Sequence, residues 1–200
     1  MFKREIREKG GQPLERLAVM TVGKTHSGKT TFAHMLAGEL PGSVVIDQDL
    51  QAKFLNKYYP QLLPKNGPNL IKNALTRTIA EHAVENTDCH LIISNSNLSG
   101  EDRRTWLDYY KEKGFTTVLV FFNLSEDMLR LRIRRSTRST NIFRVSLTFG
   151  DLLDRQLKAY PATGPSAGEA DHLLTVHHGK DVEPVIGRIL DISRGKGRRA

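Results

Sequence analysis

The chain carries one cysteine, Cys89, among 200 residues, so no disulfide can close within it and no CxxC or Cys/His spacing marks a zinc site. A reducing, cytoplasmic setting is the expectation. Long apolar runs are missing too, and no stretch approaches the roughly 20 residues of a membrane-spanning helix. The opening "MFKREIREKGGQPLER" is charged and lacks the apolar centre of an export signal. Neither a membrane partner nor a disulfide partner is therefore expected. There is no N-K-x-D stretch to specify guanine, and no internal repeat. The lone Trp106, with Tyr109 and Tyr110, falls on a helical pattern and reads as packing rather than as a platform for nucleobases.

What is abundant is positive charge. Lys and Arg number 30 against 22 acidic residues, a net charge of +8, which suits polyanionic partners such as nucleotides or nucleic acid. Part of it lies in two basic ends, residues 1–16 and 194–200, expected to be mobile extensions of a domain spanning 17–193.

Within that domain, short apolar runs alternate with helical periodicity, the pattern of a parallel sheet covered by helices. Strands are predicted over 16–22, 43–47, 89–94, 116–122 and 171–177. Helices are predicted over 29–40, 69–85, 99–114, 125–136, 149–160 and 181–193. Ser99 with Asp102 three residues on reads as an N-terminal cap, and Gly114 as a stop. The Pro-, Asn- and Tyr-rich stretch 50–69 reads as partly irregular and substrate-facing, and 161–170 as a loop. The fold class is α/β: one three-layer α/β/α domain with a five-stranded parallel sheet.

Directly after the first strand and opening the first helix stands "GKTHSGKT", residues 23–30, with the spacing G-x-x-x-x-G-K-T of a phosphate-binding P-loop. Gly23 and Gly28 let backbone N–H groups converge on phosphate oxygens, with the helix dipole adding positive potential. Lys29 is expected to reach the β- and γ-phosphates, and the Thr30 hydroxyl to ligate Mg²⁺. Ser27 and Thr31 complete the nucleotide contacts. His26 occupies a free position of the motif and reads as a solvent-facing loop residue.

The second strand ends in "VIDQDLQAKF", placing Asp47 and Asp49 at the carboxyl edge of the sheet. An acceptor hydroxyl needs a carboxylate for its proton, so one of the two is the candidate base; the other reading of each is a turn or helix cap. Farther along, Arg130, Arg134 and Arg138 are spaced four apart. On a continuous helix they would share a face, with Arg135 nearby, and would need an anion to relieve their repulsion. This is the candidate lid, about residues 125–145. Asn95 and Asn97 follow the third strand, as acceptor contacts or as turn residues.

"GKTHSGKTTF" with "VIDQDLQAKF" resembles zeta-toxin-type kinases, whose second strand ends in a similar Asp-x-Asp with the second Asp as base, here Asp49. "IISNSNLSGEDRRTWLDYYKEKGF" followed by "RLRIRRSTRST" is similar to the 5′-kinase domain of phage polynucleotide kinase, which carries an I-I-S-D-x-N-L stretch and an Arg-x-x-x-Arg lid. The resemblance runs from about Leu17 to Tyr160 and implies a P-loop kinase using ATP and Mg²⁺, with Arg134 and Arg138 on the donor phosphates. Two positions depart from the phage pattern. Asn95 stands where that pattern has an acid, and Ala52 where it has an acceptor-binding arginine, with Lys53 beside it. The expected activity is transfer of the γ-phosphate of ATP to a hydroxyl acceptor, preferably a 5′-hydroxyl polynucleotide or nucleotide-like molecule. A small metabolite or nucleotide sugar is the alternative acceptor. A nucleotide-binding regulator without transferase activity is the alternative of another class, for which Asn95 is the argument.

Overall fold

A computed structural model describes residues 15–140, 143, 147–160 and 164–196. Most of the two basic extensions (1–14 and 197–200), lid residues 141, 142 and 144–146, and loop residues 161–163 lie outside the described residues. The chain runs β1 (Leu17–Val22), α1 (Lys29–Glu39), β2 (Ser43–Ile46), α2 (Gln48–Tyr58), α3 (Leu70–Asn86), β3 (His90–Ile93), α4 (Gly100–Glu112), β4 (Thr116–Phe122), α5 (Glu126–Arg134), α6 (Phe149–Ala159), β5 (His172–Val176) and α7 (Val182–Ser193).

All the strands are parallel and lie in the order β2-β3-β1-β4-β5. Because successive side chains of a strand point to opposite faces, β1 feeds two cores. Leu17 and Val19 pack with Phe32 and Leu36 of α1 and Ile186 and Ile189 of α7. Ala18, Met20 and Val22 pack on the other face with Ala80 and Val84 of α3 and Leu107 and Tyr110 of α4. Burial on both faces is why these strands read as continuous apolar runs. The three-layer expectation holds.

Element ends follow local chemistry. Ser99 accepts from the Asp102 N–H at 3.3 Å, and Gly114 ends α4 with φ of +79°, as expected. Pro184 is tolerated because it falls in the first turn of α7, where no intrahelical N–H bond is lost.

Residues 48–58 correct the expectation of irregularity. Asp47 caps α2 by accepting the Asp49 N–H at 2.8 Å, and Ala52 and Leu55 bury one narrow side. The prolines of the stretch begin only at Pro60, where a short 3₁₀ turn (Pro60–Leu62) follows.

The topology places the site. Helix α1 leaves β1 toward one face of the sheet while α4 leaves β3, its neighbour, toward the other. A crevice opens between them at the carboxyl edge, where open α/β sheets bind ligands.

Candidate active site

The loop after β1 is built around close approach. A Cβ at Gly23 would lie 2.9 Å from the Cβ of Phe122 and 3.2 Å from its carbonyl oxygen. Gly28 takes φ of +105° at the N-cap of α1 and supplies no capping side chain. The first N–H groups of that helix, with no acidic residue in its first turn, are left for an anion. Lys29 folds over the loop, its Nζ donating to the Lys24 carbonyl at 2.7 Å and Ser27 Oγ at 3.1 Å. Burial lowers its pKa to about 8, against the opposing pull of Asp49 and Asp47. Ser27 is buried and Thr31 exposed.

Thr30 and Asp47 meet across the crevice, with Thr30 Oγ1 donating to Asp47 Oδ2 at 3.3 Å. Asp47 is 2% exposed, and its pKa is raised mainly by burial and by the Asp49 carboxylate, opposed by the bonds from the Asp49 N–H and from Thr30. A hydroxyl and a carboxylate oxygen beside the phosphate loop are the donors a hard divalent cation prefers. Among the described residues no cluster of three or more His, Cys, Asp or Glu is available to hold a metal, so these two would share it with nucleotide phosphates.

Asp49 is half-exposed, its Oδ2 paired with Arg138 Nη2 at 2.5 Å. The Arg138 guanidinium also lies over the Phe149 ring, 5.2 Å from its centroid. The continuous lid helix is corrected. Helix α5 ends at Arg134, so Arg130, Arg134 and Arg138 do not share one helical face. Arg130 is held by Glu126 and Asp154, each at 2.7 Å, which ties α5 to α6. Arg134 is exposed on the last turn. Among the described residues, the arginine that touches the phosphate loop is Arg132, whose Nη1 donates to the Ser27 carbonyl at 2.9 Å and the His26 carbonyl at 3.3 Å. Sequence spacing carries no signal for it, because the choice depends on how α5 is rotated against the loop.

His26 is not solvent-facing, which corrects a further expectation. Its φ is +58°, its ring meets Phe149 edge-on at 4.6 Å, and Nδ1 lies 3.0 Å from Thr25 Oγ1. Burial, then Arg138, Lys29 and Arg132, hold its pKa below the usual histidine range.

On the far side of β1, Asn95 Oδ1 accepts the Gln48 N–H at 2.9 Å. Asn97, at φ of +45°, donates from Nδ2 to the Thr21 carbonyl at 2.8 Å. Both line a pocket of about 680 Å³ floored by Met20, Ile46 and Ile93. Arg103, 6% exposed, shapes the loop between them by donating to the carbonyls of Asn97 and Leu98 at 2.8 and 3.0 Å while pairing with Glu169 at 2.7 Å. Lys53 lies outside that pocket, lining an open groove with Asn56, Lys57, Lys65 and Ser139. A second pocket, of about 560 Å³, is bounded by Gly28 and Thr31, Arg132 and the His178–Lys180 turn. No sequence motif marks it, since its walls come from segments distant along the chain.

Fold and site together define a P-loop domain of the kinase fold. The chain belongs to the AAA domain family, whose model matches residues 19–158. No curated protein matches it in sequence. Among solved structures it is similar to a candidate kinase from Chloroflexus aurantiacus (16% identity, 92% of this chain and 98% of that one, TM-score 0.62). It is also similar to Kti12 from Chaetomium thermophilum in complex with ADP-AlF3 (14%, 88% and 98%, 0.62), and to the APS kinase of Mycobacterium tuberculosis in complex with AMPPNP and APS (16%, 90% and 98%, 0.54). Among the described residues, no helix is long and apolar enough to cross a membrane.

Proposed function

We propose that the chain transfers the γ-phosphate of ATP to a hydroxyl group of an acceptor bound at the carboxyl edge of the sheet. The observation that carries this is one continuous polar arrangement: phosphate loop, Thr30–Asp47 pair, and the accessible Asp49 carboxylate against Arg138. The phosphates lie on the loop N–H groups and Lys29, and the base enters the pocket beside Arg132. Thr30 and Asp47 would hold Mg²⁺, which would supply neutralisation of phosphate charge when bound. Asp49 takes the hydroxyl proton while the acceptor oxygen forms the new bond to the γ-phosphorus and the bond from that phosphorus to the ADP oxygen breaks. Arg138 turns from Asp49 to the transferring phosphoryl, where the exposed Arg134 joins it. Asn95 and Asn97 line the acceptor side.

A second reading, a 5′-hydroxyl polynucleotide as acceptor, rests on the resemblance to phage polynucleotide kinase and on the groove lined by Lys53, Lys57 and Lys65, which would follow a phosphate backbone. The test is transfer of labelled γ-phosphate to 5′-hydroxyl oligonucleotides, nucleosides, sugars and nucleotide sugars. A labelled acceptor with equimolar ADP is expected. Tight ATP binding without transfer to any hydroxyl would favour a nucleotide-dependent regulator.

A further inference from the structure

The 680 Å³ pocket has the size of a small-molecule site, and its polar lining includes five carboxamides, those of Gln48, Asn73, Asn95, Asn97 and Gln156. Three of these side chains are each committed at one end to the main chain. Asn95 Oδ1 takes the Gln48 N–H at 2.9 Å, Gln156 Oε1 takes the Thr25 N–H at 2.7 Å, and Asn97 Nδ2 donates to the Thr21 carbonyl at 2.8 Å. An N–H can be met only by an amide oxygen and a carbonyl only by an amide nitrogen, so the backbone fixes which way each amide is turned. What remains is two NH₂ groups, on Asn95 and Gln156, and one free oxygen, on Asn97. The Gln48 side chain adds a donor and an acceptor at the same wall.

This set is neutral and offers both donors and acceptors, which matches hydroxyl groups, each of which does both. It is poorly suited to an anion. No lysine lines the pocket; its charged side chains are Asp102 and the exposed Arg77, which faces Glu81 at 3.6 Å and lies over the Trp106 ring, 5.7 Å from its centroid. One wall is aromatic: Trp106 is half-buried and stacked on Tyr110, with centroids 5.7 Å apart and planes at 25°, a surface against which the C–H face of a ring packs. We infer that the acceptor is a neutral, hydroxyl-rich small molecule between a monosaccharide and a nucleoside in size, held by the pinned amides of Asn95, Asn97 and Gln156 against Trp106. The inference rests on the phosphotransfer reading, since it takes this pocket as the acceptor's.

The chain has one tryptophan, so its fluorescence reports occupancy of the pocket without any turnover. Titrations of the whole protein use neutral monosaccharides and nucleosides, their phosphate esters, and a 5′-hydroxyl oligonucleotide. A fluorescent ATP analogue follows the nucleotide site separately. Neutral polyhydroxyl compounds are expected to change Trp106 emission, and the matching phosphate esters to bind at least about tenfold more weakly. Asn95→Asp keeps the oxygen that meets the Gln48 N–H but replaces the donor with a carboxylate oxygen. It is expected to weaken the neutral ligand about tenfold with unchanged thermal unfolding, and Gln156→Glu to act likewise. Emission changed only by esters or by the oligonucleotide, or by nothing in a protein that binds the ATP analogue, overturns the inference. A neutral ligand that binds but is never phosphorylated leaves the pocket assignment standing and sinks the phosphotransfer reading instead.

Discussion

The two ends of the sheet use the same residue types to opposite ends. At the amino edge, one guanidinium, that of Arg16, donates to the carbonyls of Cys89, Val84, Ala83 and Thr87 at 3.0, 3.0, 2.7 and 2.6 Å and lies over Phe115. His90 accepts the Leu17 N–H at 3.0 Å, and Asp171 takes the N–H and hydroxyl of Thr117 at 2.8 and 2.6 Å. Glu15 and Arg16, the last residues of the basic extension, are thereby tied into the domain, Glu15 through Thr116 and Ser193. At the carboxyl edge, Arg138 holds a half-exposed carboxylate, Lys29 rests on a loop carbonyl, and the pocket amides have spent only one end each. Closed polar networks rigidify, and open ones bind. The amino edge is where stability should fail on mutation, and the carboxyl edge where chemistry should.

The largest effect expected is at the carboxyl edge. Asp49→Asn should lower the transfer rate about 10²- to 10⁴-fold with ATP affinity retained, as read by single-turnover kinetics and equilibrium titration. An equal loss of folding stability would erase the contrast between the edges. At the other edge, Arg16→Ala strands several carbonyls and should cost about 2–4 kcal/mol in urea unfolding, with activity per folded molecule unchanged.

His90 sharpens the same contrast through pH. Burial, with Arg16 nearby, lowers its pKa from 6.5 to about 4, so the unfolded chain takes up a proton as pH falls through 6.5 while the folded one resists until about 4. Its contribution is complete above that window and is lost on acidification across it, on the order of 3 kcal/mol. His90→Gln should flatten the dependence of the urea midpoint on pH.

Lys29 gives the smaller, functional counterpart. With a pKa near 8 in the free protein and phosphates to raise it, ATP binding above pH 8 should take up part of a proton. Affinity should therefore fall as pH rises, and calorimetry in buffers of different ionisation enthalpy reads the proton directly. Smallest of all, Lys53→Ala should change transfer to a small acceptor by less than about twofold. A larger loss with an oligonucleotide acceptor, one that shrinks as salt rises, would favour the polynucleotide reading.

The sheet and the phosphate loop were legible in the sequence because each rests on a local signal: strands buried on both faces, and glycines at fixed spacing before a helix. Helix α2 was not. Only Ala52 and Leu55 are buried on it, while Leu50, Phe54 and Tyr58 are exposed, so hydrophobic periodicity pointed to no clear inner face. The arginines were half legible. Their excess marked the lid, but which one meets the loop, which pairs outward and which reaches Asp49 follows from where α5 stops and how α6 packs on it, through Arg130 and Asp154. Asn95 and Asn97 were legible as candidates from their place after the third strand, but Gln156 and the pinning of all three amides were not, since Thr21, Thr25 and Gln48 lie far along the chain from the side chains they hold.

Phosphorus NMR of the protein with ATP, Mg²⁺ and a neutral acceptor that changes Trp106 emission reads phosphoryl transfer directly. A phosphomonoester resonance should grow in step with ADP and be absent in Asp49→Asn. Bound ATP that stays intact, or that yields only inorganic phosphate, would contradict transfer to the acceptor.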